Sequence, residues 1–282
     1  MAVSLYQTSR SQIIMAHIYS KNDLLLKAEN VHLKYDDKVI LRDVNFEIHN
    51  IVRPDMEQGQ VVSLVGRSGI GKTQLFKILA GLLKPTSGKV LIDIDQHVVK
   101  PGEVGIIPQN YILFNHRTIY ENLKIGLDFS GQKYTSAQES EIIEEYADKF
   151  SLKEHLKKYP AQLSGGQKQR VSIIQQVLTG NKFILLDEPF SGLDMLMIDR
   201  VINLLIRIST LNELNTLVIV SHDIENSLAL SDTAFILANQ KGKEGATITE
   251  QIDLIKLGFA WDPEIRQSAH FQELVATMKH KI

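Results

Sequence analysis

The stretch Val61-Val62-Ser63-Leu64-Val65-Gly66-Arg67-Ser68-Gly69-Ile70-Gly71-Lys72-Thr73 decides the fold. Val61 to Val65 is a short β-branched run, and Gln74–Leu83 beyond the glycines has the apolar spacing of a helix. Strand, glycine-rich turn and helix, with G-x-x-x-x-G-K-[ST] filling the turn, is the arrangement of a phosphate-binding loop. Glycines let the backbone wrap closely around phosphates so that successive N–H groups point inward, and the helix N-terminus adds partial positive charge. Lys72 can then reach the β- and γ-phosphates, while the Thr73 hydroxyl can coordinate Mg²⁺.

A second apolar strand, Phe183-Ile184-Leu185-Leu186, ends in Asp187-Glu188 and suits the other half of such a site. Asp187 can hold Mg²⁺ directly or through water, and Glu188 can orient and polarise an attacking water. Around these two strands the chain alternates. Strands are expected at Leu24–Val31, Val39–Ile48, Lys89–Ile94, Leu217–Val220 and Ala234–Leu237, with a helix over Met195–Asn212. Between them Thr118–Leu127, Ser136–Phe150, a piece near Leu152–Leu156, and Gly166–Leu178 read as helices. The expected class is α/β: a P-loop NTPase core with a mainly parallel sheet, an N-terminal antiparallel β subdomain and an inserted α-helical subdomain.

The division that follows assigns 1–20 to a disordered extension, with Met15 as an alternative start, 21–110 and 181–245 to the core with its β subdomain, 111–180 to the helical insert, and 246–282 to a partly helical tail. Asn50–Gln58, holding Pro54, reads as a loop. Of 282 residues 44% are hydrophobic, enough for a real core, and 31 basic against 33 acidic residues give a net charge of -2. That balance disfavours nucleic acid as the main partner. The absence of cysteine rules out disulfides, thiol catalysis and thiolate metal sites. Apolar runs have strand length rather than membrane-spanning length, and Met1 to Ser20 lacks the pattern of a secretory signal.

Five separated elements together resemble the nucleotide-binding subunits of ATP-binding cassette (ABC) transporters. They are the loop Gly66–Thr73, the run Leu163-Ser164-Gly165-Gly166-Gln167, the strand Phe183–Glu188, the segment Pro189-Phe190-Ser191-Gly192-Leu193-Asp194, and Ser221-His222-Asp223. Gln109 sits where that family has its Q-loop, and Tyr35 where an aromatic stacks on adenine. The resemblance implies an ATPase in which two subunits meet head to tail, each ATP lying between the loop of one and Ser164–Gln167 of the other. Ser164 and the amides around Gly165 and Gly166, opening a helix, supply a second anion cradle that one phosphate loop cannot fill alone.

By the same resemblance His222 contacts the γ-phosphate and the attacking water, Gln109 touches Mg²⁺, and Asp194 communicates across the dimer. Catalysis is assigned to Glu188, His222 and Lys72, and Mg²⁺ to Thr73, Gln109 and Asp187. Departures are Arg67, where proline is frequent, Gln74, where a second hydroxyl often serves the α-phosphate, and Val171–Gln176, unusual for the signature helix. A cassette without membrane helices implies a homodimer, or a pair with a similar ATPase subunit, docked through Tyr111–Arg117 onto separate permease subunits at the cytoplasmic face of the membrane, with a substrate-binding protein as a further partner. The motifs look most like bacterial nitrate, sulfonate and taurine importers. An exporter subunit, or a soluble ABC ATPase acting on ribosomes or DNA, is the alternative.

Overall fold

The run that opened the sequence reading is β3 (Gln60–Val65), buried at every position, as a strand is when neighbours and helices cover both its edges and both its faces. In the computed structural model, which describes residues 19–52, 59–209, 215–262 and 264–282, it lies within one sheet. The other strands are β1 (Ser20–Tyr35), β2 (Lys38–Val52), β4 (Ser87–Ile92), β5 (His97–Val98), β6 (Gly105–Ile107), β7 (Phe183–Asp187), β8 (Thr216–Ser221), β9 (Thr233–Asn239) and β10 (Ala246–Asp253). Their order is β5-β4-β1-β2-β10-β9-β3-β8-β7-β6. β9, β3, β8, β7 and β6 pair in parallel, whereas β5, β4, β1 and β2 form an antiparallel wing.

The helices are α1 (Lys72–Leu79), α2 (Ile119–Phe129), α3 (Ser136–Lys149), α4 (Gly165–Leu178), α5 (Met195–Ser209), α6 (Ile224–Leu230) and α7 (Ala269–Lys281). Three of them start on reciprocal caps. Thr118 with Glu121, Thr135 with Gln138, and Ser164 with Gln167 each satisfy two first-turn donors, which is why α2, α3 and α4 begin where they do. One core lies between α1 and the antiparallel wing, around Leu41, Leu64, Leu79 and Phe235. A second joins α2, α3, α4 and α5 to β7 and β8 through Ile119, Ile143, Ile174 and Leu205. Gln175 Nε2 donates to the Asn122 carbonyl at 2.8 Å, tying α4 to α2 inside it.

Two expectations change. Ala246–Asp253, read as the start of the tail, is a sheet strand, antiparallel to β9 and meeting β2 in parallel at Ala246 and Leu41, so it joins the wing to the parallel core. Its alternation is broken at Glu250, which falls among Ala246, Ile248 and Ile252 at a register irregularity, and that break hid it from a pattern reading. Tyr19 and Ser20, assigned to the extension, belong to the fold: Ser20 pairs with Val52, and the Tyr19 hydroxyl donates to Asp253. β5, β6 and α6 are too short for a periodicity to declare itself. Of the expected loop Asn50–Gln58, the first three residues instead end β2, where Ile51 is buried and pairs with Lys21; its remainder at 53–58, residues 1–18 and the end of the helix expected to reach Asn212 lie outside the described residues.

A buried carboxylate locks the far end of β3. Asp232 accepts from the Val61 amide through Oδ2 at 2.8 Å and from Trp261 Nε1 through Oδ1 at 2.6 Å, so it fastens the C-terminal segment to the central strand. Asp232→Ala leaves both donors without this acceptor, at an expected cost of about 3 kcal/mol. Urea unfolding at pH 7 should show a lower midpoint with an unchanged slope; a midpoint equal to that of the parent chain would contradict the clamp.

Candidate functional site

β3 delivers the chain to Gly66, and the site is built at the carboxyl ends of β3, β7 and β8. Gly66 admits no side chain, because a Cβ there would lie 2.5 Å from the Leu237 carbonyl oxygen. Gly71 turns into α1 at φ 112°, a left-handed conformation that glycine adopts without penalty. No side chain caps α1 and no acidic residue stands in its first turn, so its leading N–H groups are available to an anion. Arg67, Ser68, Gly69 and Thr73 are exposed around this turn, and Ile70 N donates to the Arg67 carbonyl at 3.3 Å.

Lys72 folds back over the loop it follows. Its Nζ, almost wholly buried, donates to the carbonyls of Gly66 at 2.9 Å and Arg67 at 3.0 Å, and lies 3.3 Å from Glu188 Oε1. The other Glu188 oxygen, Oε2, accepts from Ser221 Oγ at 3.0 Å, from the His222 amide at 3.2 Å and from His222 Nδ1 at 2.8 Å. A carboxylate only accepts, so this contact puts the proton on Nδ1 and leaves Nε2 on the outer side of a half-exposed ring. Glu188 also adopts φ 49°, a conformation that costs a non-glycine residue about 1–2 kcal/mol. The hydrogen bonds from Ser221 and His222, with Glu188 N donating to the Val220 carbonyl at 2.8 Å, hold it there.

Asp187, one residue earlier on β7, differs from its neighbour. Its Oδ1 is buried without a hydrogen-bond partner among the described residues, and its carboxyl is pushed above the usual range by burial first and by Glu188 second, with Lys72 opposing. An orphaned carboxylate oxygen at the end of β7, with an exposed Thr73 on the phosphate loop, fits a hard divalent cation that takes its remaining ligands from phosphate and water.

The other expected residues divide. The Tyr35 hydroxyl donates to Gln74 Oε1 at 3.1 Å, so an exposed ring is tethered next to the phosphate loop, and Gln74 points at Tyr35. Gln109 is not brought to Asp187 or Thr73; its Nε2 donates to Ser191 Oγ at 3.2 Å. Ser164 caps α4, with Ser164 N donating to Gln167 Oε1 at 2.9 Å, and no hydrogen bond among the described residues joins Ser164–Gln167 to Gly66–Thr73. Asp194 accepts from the Met197 amide at 2.9 Å and so caps α5. Tyr111–Arg117 splits by side chain: Leu113 is buried, while Ile112 and Phe114 are 71% and 46% exposed.

Two residues have roles that the sequence reading did not assign: Ser221, quoted there only as part of the run around His222, and Asn122. Ser221 fixes Glu188, and the signal was a hydroxyl ending an apolar strand. Asn122, wholly buried, donates to the carbonyls of Phe114, Arg117 and Thr118 and accepts from Phe114 N, which shapes the exposed loop; an isolated asparagine in a helix gives no such hint.

Residues 49–191 match the family model described as ABC transporter. The chain is 36% identical over 241 residues to an uncharacterized ABC transporter ATP-binding protein, YtlC, of Bacillus subtilis, covering 84% of this chain and 86% of that one. It is 34% identical over 238 residues to the spermidine/putrescine import ATP-binding protein PotA of Protochlamydia amoebophila, covering 83% of this chain and 61% of the relative, so it spans about three fifths of that protein. Among solved structures, cbiO1 of Clostridium perfringens superposes with a TM-score of 0.69 at 24% identity, over 92% of this chain and all of that one, a likeness of fold.

Lys72, ahead of Lys77, opposes the raised Asp187 carboxyl, and Lys72→Met removes that charge. Asp187 should then titrate higher still, as a carbon-detected carboxyl titration would show. A carboxyl raised above its unfolded value makes the fold less stable at neutral pH, and stability returns as pH falls through the folded value toward the unfolded one. Lys72→Met should therefore regain more stability than the parent chain between pH 7 and pH 4, and equal pH profiles would refute the coupling.

Proposed function

This chain belongs to the ABC transporter family, and we propose that it is the ATP-binding and hydrolysing subunit of an importer, working in pairs on separate membrane subunits. The observation that carries the reading is Glu188, held by Ser221, His222 and Lys72 beside an uncapped helix that opens on a phosphate loop. ATP phosphates would lie against the amides from Gly66 to Thr73, and Lys72 would exchange Glu188 for the β- and γ-oxygens. Glu188, released from that pairing, would orient the attacking water and accept its proton, while His222 Nε2 would face the γ-phosphate. Thr73 and Asp187 would hold Mg²⁺, which when bound would neutralise phosphate charge. Tyr35 would stack on the adenine, and Gln109 would join the cation once it leaves Ser191.

Half of the proposed site comes from a second copy. Ser164, Gly165 and Gly166 open α4, share no hydrogen bond with the phosphate loop of their own chain, and would cap the γ-phosphate bound by a partner. Met195 and Leu196, 68% and 73% exposed just after Asp194, are apolar surface suited to burial between two copies. Ile112 and Phe114, presented by the Asn122-braced loop, would meet the permease at the cytoplasmic face of the membrane, since no helix among the described residues is long and apolar enough to cross it. The import name of the Protochlamydia relative supports the direction, and a substrate-binding protein would deliver cargo.

Glu188→Gln should bind ATP with near-normal affinity, lose hydrolysis by about 10²–10³-fold, and accumulate an ATP-dependent dimer in size-exclusion chromatography. Normal turnover would remove Glu188 from the chemistry. Mixing Ser164→Arg with Lys72→Ala subunits should restore one composite site, seen as ATPase activity that neither variant has alone. If Ser164→Arg by itself dimerised with ATP as the parent does, site sharing would be wrong.

A further inference from the structure

A cleft of about 330 Å³ opens between α4, α5 and the turn at Phe150 and Ser151 that ends α3. Helical spacing creates it: Gly166 and Arg170 on α4 face Met197, Arg200, Leu204 and Arg207 on α5, each set recurring at three or four residues. Arg170, Arg200 and Arg207 all line it, and no carboxylate is among the lining side chains. The remaining walls are largely apolar, with Phe150, Val201 and Leu204 at the back.

Two of these guanidinium groups, those of Arg170 and Arg200, meet no carboxylate within the cleft. Arg170 donates through Nε to the Gly166 carbonyl at 3.3 Å and through Nη1 to the Phe150 carbonyl at 3.1 Å, which fixes it in the cleft wall with donors to spare. Arg200 has as its hydrogen-bond partner the Met197 thioether at 3.6 Å, a weak acceptor for a five-donor group. Arg170 is drawn below its ordinary value by burial and then by the charge of Arg200, so two cations repel across one cavity. An oxyanion between them would relieve the repulsion and take up the donors in the planar, bidentate way that arginine favours.

We propose that this cleft binds a small organic anion, a carboxylate or phosphate ester with a compact apolar body, clamped between Arg170 and Arg200. Its volume is at the lower end for small-molecule sites, and its mix of apolar wall with a few convergent polar groups is what such sites share. Ser164 and Gly166 border the same cleft. An occupant would therefore fix the start of α4 against α5, and, on the function proposed above, set how readily Ser164 meets a partner's nucleotide. Binding itself does not rest on that reading.

The test is calorimetric titration of the full chain with citrate and, separately, with phenyl phosphate at constant ionic strength. At least one should saturate at one per chain, with affinity falling about tenfold or more in Arg200→Glu and unchanged in Lys72→Ala. Citrate alone would mark a carboxylate site, and phenyl phosphate alone a phosphate-ester site. Arg200 is exposed, so Arg200→Glu should melt with the parent chain, and Arg200→Ala carries the test should it not fold. Failure of both probes to saturate, equal affinity in the Arg200 variant, or loss of binding in Lys72→Ala, which would assign the anion to the phosphate loop, would overturn the site.

Discussion

The contact between Lys72 and Glu188 is the constraint around which the molecule is arranged. A nearly buried ammonium 3.3 Å from a carboxylate holds the phosphate loop to the end of β7, two pieces of chain more than a hundred residues apart in sequence. A pair this buried persists only if its remaining lone pairs and donors are met. Here two loop carbonyls take the lysine, while Ser221 and His222 take the second carboxylate oxygen. Each of those partners sits at the end of β3 or β8, so the pair requires β3, β8 and β7 side by side and parallel. The sheet order is thus a chemical requirement as well as a packing solution.

The same geometry explains why two adjacent carboxylates differ. Asp187 and Glu188 end one strand, yet the left-handed turn at Glu188 swings its side chain onto Lys72 and His222, leaving Asp187 Oδ1 buried and unmatched. Glu188 is fully engaged by protein, whereas Asp187 Oδ1 has no hydrogen-bond partner among the described residues. Backbone strain at a single residue separates the two roles.

Away from the nucleotide end, the helical insert and the C-terminal segment are tied in by buried polar contacts. Gln175 joins α4 to α2, Asn122 ties α2 to the exposed loop at Phe114, and Asp232 joins Trp261 to β3. The insert is therefore a packed unit that carries both Ser164 and the exposed loop. The arginine-lined cleft lies where α4 of the insert meets α5 of the core, and an occupant would stiffen that seam.

What the sequence by itself determined is whatever depends on neighbours along the chain. Strand, turn and helix from Val61 through α1, the capped start of α4 at Ser164, and the acidic end of β7 were readable because residue spacing sets backbone conformation over a few positions. Only the tertiary structure decided the pairings across long separations: Tyr35 with Gln74, Gln109 with Ser191, Ser221 with Glu188, and β10 between the wing and the core. These follow from sheet register and strand order, which place residues 33 to more than 80 positions apart within hydrogen-bond reach. Local spacing carries no record of that order, since the cores that impose it form only when distant apolar faces are buried together.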